Sequence, residues 1–161
     1  MSAVIRALSV AEGIVAICPF PGADGAFDAD MAHIRDWKPA LVISLTPEAE
    51  MVALGRGDLG AKFVEQGARW LHFPIADYGV PDAPATESWR GIERAALAAL
   101  RGGGRVLIHC RAGQGRSGMI ALRLMIAGGE RPVAALARLR QVQPEAVETP
   151  GQMNWATSKP G

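Results

Sequence analysis

The chain has 161 residues, 49% of them hydrophobic and 20% charged, with a formal net charge of +1. That length suits one domain, and that apolar fraction supports a packed core and excludes global disorder. A charge so close to balance gives no electrostatic case for nucleic acid or a membrane surface as partner.

"GIVAICPF" (13–20) reads as a buried strand, ended by the turn residues of "PFPGADG". It is too short for a membrane span and is closed by Pro19 and Pro21. A helix over 28–37 follows, with Asp28 or Asp30 as its cap, and Pro39 ends it. "ALVISL" (40–45) is a second strand. Pro47 opens a helical stretch that "GRGDLG" interrupts and that resumes towards Gln66. "RWLHFPI" (69–75) is a third strand, running into the turn "ADYGVPDAP". A helix is predicted over 86–101, where Trp89, Ile92, Ala96 and Leu100 share one face, and "GGG" stops it.

"RVLIHC" (105–110) is a fourth core strand. The helix after it, "MIALRLMIA", is apolar nearly all round and carries only Arg123, so it is a buried helix. Pro132 starts another helix to about Val142, and "TPGQMNW" starts a last short one. Strands alternating with helices imply an α/β domain over 1–161, with a central, mainly parallel sheet flanked by helices. The two cysteines, Cys18 and Cys110, make no disulfide framework, and we expect a soluble cytoplasmic protein with reduced thiols.

The most informative stretch joins the fourth strand to the buried helix. Gly113, Gly115 and Gly118 spell G-x-G-x-x-G, the written form of a dinucleotide fingerprint. That fingerprint needs a second strand ending in an acidic residue about 20 residues on. Here Glu130 ends no strand, and "RPVAALARLRQ" is helical. The P-loop form fails as well, because Met119 follows Gly118 where a lysine is required.

A nucleophile fits better. Five residues between a strand end and a helix start can turn successive backbone N–H groups inward as an anion nest, backed by the positive helix N-terminus. Cys110 lies at its floor, where such a field favours thiolate. Arg116, in the first helical turn, can bind two phosphoryl oxygens through its planar fork. Ser117 can donate to the sulfur. Arg111, Ala112, Gly113, Gln114 and Gly115, with Arg116, form the binding loop.

"HCRAGQGRSG" (109–118) resembles the H-C-x5-R-S/T signature of the protein tyrosine phosphatase superfamily, and is most similar to its small dual-specificity branch, which includes the cyclin-dependent-kinase-associated phosphatases. "IADYGVP" (75–81) resembles the mobile acid loop and "ETPGQ" (148–152) the late glutamine loop. The resemblance implies a cysteine-phosphatase fold and a cysteine-dependent phosphomonoester hydrolase acting on phosphotyrosine, with phosphoserine and phosphothreonine as further substrates. It implies Cys110 as nucleophile, Asp77 as general acid, Gln152 as the residue that positions water, and His109 as a support for the loop. It implies no metal and no cofactor, a phosphorylated protein or peptide as partner, and a monomer. Ile75-Ala76 replaces the Trp-Pro of the tyrosine-specific branch, and that branch's Lys-Asn-Arg-Tyr segment has no counterpart.

Asp82 rivals Asp77 as the acid, although the Gly79-Val80-Pro81 register favours Asp77. A rhodanese-like sulfurtransferase also uses a cysteine loop, but has no use for Asp77 or Ser117. A non-catalytic phosphoprotein-binding module would not need an intact Cys110, Arg116 and Asp77. Tyr78, the only tyrosine, is an exposed turn residue or an aromatic lip. Trp37, Trp70, Trp89 and Trp155 read as core or helix-face residues, and His33 and His72 as surface or packed ones. Cys18 reads as a buried strand cysteine, with a disulfide trap for oxidised Cys110 as the sharper alternative.

Overall fold

The computed structural model describes residues 4–158, so the ends of the expected 1–161 domain lie outside the described residues. Five strands form one sheet: β1 (Arg6–Val10), β2 (Gly13–Cys18), β3 (Leu41–Ser44), β4 (Arg69–His72) and β5 (Arg105–His109), in the order β1-β2-β5-β3-β4. β1 runs antiparallel to β2, and the other neighbours pair in parallel. The seven helices among the described residues are α1 (Phe27–Trp37), α2 (Glu48–Ala53), α3 (Leu59–Glu65), α4 (Ala83–Arg101), α5 (Gly115–Ala127), α6 (Pro132–Val142) and α7 (Pro150–Thr157). No helix among the described residues is long and apolar enough to cross a membrane.

The three inner strands β2, β3 and β5 bury both faces, as parallel strands covered by helices must. Val15, Ile17, Ile43, Val106 and Ile108 join one core with residues of α4, α5, α6 and α7. Their alternates Ala16, Cys18, Val42 and Leu107 join the other, with residues of α1, α2 and α3. α5 is buried from Gly115 to Met125, which explains its apolar composition all round. Its one charge in the apolar run, Arg123, donates to the Trp155 and Ser158 carbonyls at 2.7 and 2.8 Å. On α4, Trp89, Ala96 and Leu100 are buried, and a large side chain such as Leu100 contributes about 1.5–3 kcal/mol of apolar transfer.

Two expectations need correction. β1 is a strand that the hydrophobic pattern of residues 6–10 does not predict. Its two-residue turn to β2 places Ala11 at φ 51°, a backbone position where glycine or asparagine is the usual marker. Neither Asp28 nor Asp30 caps α1. Ala26 occupies the cap with no side-chain bond, and both aspartates lie in the first turn, where they complement the helix dipole. Asp30 is buried and accepts the Gly22 N–H at 2.8 Å.

Candidate active site

β5 occupies the middle of the sheet, and its C-terminal end delivers residues 110–114 to the start of α5. Gly113 adopts φ +74°, and a Cβ there would meet the Cys18 carbonyl carbon and Pro19 nitrogen at 2.8 Å, so the loop's path requires glycine. The loop is tied down on several sides. Phe20 N–H donates to the Arg111 carbonyl (3.0 Å), the buried Gln143 amide donates to the Gly113 carbonyl (2.9 Å), and Gly118 N–H donates to the Gln114 carbonyl (2.8 Å). Inside this frame the Gly113 N–H donates to Cys110 Sγ at 3.3 Å, so at least one loop amide faces the sulfur.

A cavity of about 430 Å³ opens above Cys110. Asp77, Tyr78, Arg111, Arg116 and Glu148 line it, together with Ala112, Gln114 and Gly115 of the loop. Gly113 instead faces an adjoining cavity of about 250 Å³, beside Cys18. Cys18 is buried in β2, and its thiol is pushed far up by burial, then by the neighbouring Cys110 and Asp30. Both cysteines are unbridged. Tyr78 is 64% exposed and takes φ 59°, so it stands at the cavity mouth.

Arg116 is 2% exposed, and its guanidinium is divided between tasks. Nη1 and Nη2 donate to Glu50 Oε1 and Oε2 at 3.0 and 3.1 Å, and Nη1 also donates to the Ile75 carbonyl at 3.0 Å. Three of its five N–H donors are thereby used. The two left, on Nε and Nη2, share the other edge of the fork. Asp77 Oδ1 stands 3.5 Å from Nη2 on this cationic group. Burial opposes the charge, but the Glu50 bond and the nearby Cys110, Glu50 and Asp77 outweigh it and raise the arginine's pKa further. Sequence reasoning missed Glu50. Its acidic neighbour Glu48 shares the first turn of α2, and nothing local separates the carboxylate that faces inward from an ordinary helix-start acid.

His109 is wholly buried. Its Nδ1 is 3.2 Å from the Cys110 carbonyl, which can only accept, so Nδ1 carries the proton. Nε2 then accepts from the Ser44 hydroxyl, which itself accepts from Trp70 Nε1 at 2.8 Å. The chain Trp70–Ser44–His109 thus ends on the carbonyl at the loop's origin. Burial lowers the His109 pKa to about 4, with the Cys110 bond opposing and His72 and Arg116 assisting. The folded chain therefore refuses a proton that the unfolded chain takes up below about pH 6.5. Stability should fall as pH drops from 6.5 towards 4, by on the order of 3 kcal/mol, because the unfolded state binds more protons in that window. Urea unfolding at pH 7 and pH 4.5 checks this, and His109→Gln should show a clearly shallower loss than the wild type. Equal slopes for the two proteins would show that another group carries the acid sensitivity.

The remaining candidates separate. Asp82 is the N-cap of α4, with Oδ1 accepting the Ala85 N–H at 2.8 Å, and it does not line the cavity. The Ser117 hydroxyl is buried and makes no hydrogen bond among the described residues. Gln152 is buried outside the cavity lining, in a capping box with Thr149. Its Oε1 accepts from the Glu148 and Thr149 N–H groups, and its Nε2 donates to the Gly79 carbonyl at 3.3 Å, so it ties α7 to the loop that carries Asp77. His33 is exposed, and His72 stacks on Trp70.

Residues 31–157 match the family model described as the Swiss Army Knife protein, DSP-PTPase phosphatase domain. The chain belongs to this dual-specificity family of protein tyrosine phosphatases. Among solved structures it is similar to kinase associated phosphatase carrying serine at its catalytic-site cysteine, with TM-score 0.85, 23% identity, and 97% of this chain and 93% of that one covered. It is also similar to Tk-PTP in its active form, with TM-score 0.71, 30% identity and coverage of 88% and 87%. A PTPMT1 structure in complex with PI(5)P shares the fold, with TM-score 0.71, 16% identity and coverage of 94% and 92%. No curated protein matches this chain. The family and the five-stranded, mostly parallel sheet agree with the resemblance carried by residues 109–118. The protein is a phosphatase of the tyrosine and dual-specificity class.

Proposed function

We propose that this phosphatase hydrolyses phosphotyrosine, and also phosphoserine and phosphothreonine, in proteins or peptides, through a phosphocysteine intermediate. The observation that carries the reading is one cavity lined by Cys110, Arg116 and Asp77, with the Gly113 N–H on the sulfur. Cys110 Sγ attacks phosphorus in line, and the ester oxygen leaves with a proton from Asp77. The free edge of Arg116 and the loop amides hold the equatorial oxygens. Water then attacks phosphorus. Asp77 takes its proton, and the sulfur departs as thiolate with the uncommitted Ser117 hydroxyl as donor. Gln152 orients that water once its Nε2 exchanges the 3.3 Å bond to Gly79.

His109 holds the loop's first carbonyl in this scheme, and Arg111 adds positive charge at the mouth. The whole chain acts as one catalytic unit, supported by the pairing of β1 and β2, which precede the matched segment, into the same sheet. It acts as a monomer in the cytoplasm and needs no metal, since Arg116 and backbone amides supply the charge.

A leaving-group series tests the scheme. A general acid matters most when the leaving oxygen most needs a proton, and typically contributes about 10²–10⁴-fold. Asp77→Asn should lose most on phosphoserine peptides, less on phosphotyrosine, and least on an activated nitrophenyl ester. Asp82→Asn should lose little on any of them, because asparagine also caps helices well. If Asp82→Asn shows the graded loss and Asp77→Asn does not, the acid has been assigned to the wrong residue.

A further inference from the structure

The cavity carries one charge that the proposed chemistry does not use. Glu148 lines it, and the carboxylate lies so close over Gly115 that a Cβ there would collide with Oε1. An exposed acid against an anion-binding loop opposes phosphate binding, so its placement asks for a reason. The surrounding structure fixes the backbone that carries it to the cavity. Val147 holds φ 66°, a left-handed conformation that is costly for a β-branched residue. Val147 N–H reaches the Gln114 carbonyl at 3.4 Å, and Arg140 donates to the Ala146 and Val147 carbonyls at 3.0 and 3.1 Å. On the other side the Glu148 N–H is held by Gln152 Oε1 at 2.9 Å. The backbone is pinned on both sides of Glu148, and its carboxylate has no hydrogen-bond or ion-pair partner among the described residues.

The other charges at the mouth do not neutralise it. Arg116 is buried and already shared with Glu50, and Asp77 adds a second carboxylate. Arg111 is exposed on the loop. From this arrangement we infer that Glu148 is a specificity-determining residue. It selects phosphopeptides whose phosphorylated residue is flanked by lysine or arginine, and it disfavours phosphoesters carrying further anionic groups. The cation of the substrate supplies the partner that the protein withholds. A flanking charge facing an exposed carboxylate changes affinity by about three- to fivefold at low salt, so paired basic and paired acidic flanks should differ by about tenfold or more.

This inference rests on the phosphatase reading above, and the experiment separates the two. Two phosphotyrosyl peptides, one with lysines and one with glutamates on both sides, are compared by binding to the Cys110→Ser protein and by turnover with the active enzyme. Each is repeated with Glu148→Gln and Glu148→Arg. The basic peptide should bind about tenfold more tightly, Glu148→Gln should bring the ratio close to one, and Glu148→Arg should invert it. At 0.5 M salt the wild-type and Glu148→Arg ratios should both move towards one, because exposed charges are screened. A ratio that stays within twofold of wild type in both variants overturns the inference, as does an equal loss on both peptides, which would place Glu148 in the chemistry instead. Tighter binding of a phosphoinositide headgroup than of the basic peptide would overturn it too. Charge-dependent binding without any turnover would leave the selectivity standing and remove the phosphatase reading.

Discussion

Replacing Cys110 by serine should abolish turnover and leave phosphoester binding close to that of the wild type. A serine hydroxyl is almost fully protonated at neutral pH and is a poor nucleophile without a base beside it, whereas a thiolate needs none. His109 cannot serve as that base. Its Nδ1 proton is committed to the Cys110 carbonyl and its Nε2 to Ser44, on the far side of the ring. The binding machinery is untouched by the change, because the loop amides belong to the backbone and Arg116 is held by Glu50 and Ile75. Loss of turnover should therefore exceed about 10³-fold, the scale on which a whole nucleophilic route is lost. Rapid acid quench with a ³²P-labelled phosphotyrosyl peptide checks the route directly. Label should stay on the wild-type protein and be absent from Cys110→Ser. Residual turnover above a tenth of wild type would place the nucleophile elsewhere.

The parts of this site that could be read from sequence are those whose meaning is local. The loop's glycines, cysteine and arginine stand within one short segment, and strand and helix patterns on either side fix where the segment begins and ends. Pro132 marked the start of α6 for the same reason. The contacts that complete the site are long-range. Glu50 lies 66 residues from Arg116, and Gln143 lies 30 from Gly113. Both residue types are ordinary on a helix or in a turn, so only packing reveals them. β1 escaped because its alternation is short, with just Leu8 and Val10 turned inward, and its turn uses Ala11 where a glycine would have announced it. The choice between Asp77 and Asp82 shows the converse. Both are turn aspartates by sequence, and geometry divides them into a cavity carboxylate and a helix cap.

Arg116→Lys should be nearly as damaging as Arg116→Ala, by about 10²–10³-fold in kcat/KM, the scale of losing a principal oxyanion donor. Charge alone is not what the site asks of this residue. One edge of the guanidinium holds both oxygens of Glu50 and the Ile75 carbonyl, which fixes the plane of the fork. The opposite edge can then present two parallel N–H groups to a phosphoryl group that moves from tetrahedral to planar as it transfers. A lysine ammonium is a point charge with rotatable donors and cannot hold Glu50 and two phosphoryl oxygens in fixed relation. In a site this buried it would turn towards Glu50, whose side chain is only 19% exposed, and the phosphoryl oxygens would lose their directed donors. Glu50→Gln makes the complementary case, since it keeps the arginine but weakens its anchor, and a loss of about tenfold follows from a freer fork. Kinetics of the three variants on a phosphotyrosyl peptide decide the point. Near-normal rates for Arg116→Lys would mean that any positive charge suffices, and the fork geometry that Glu50 imposes would have no part in the reaction.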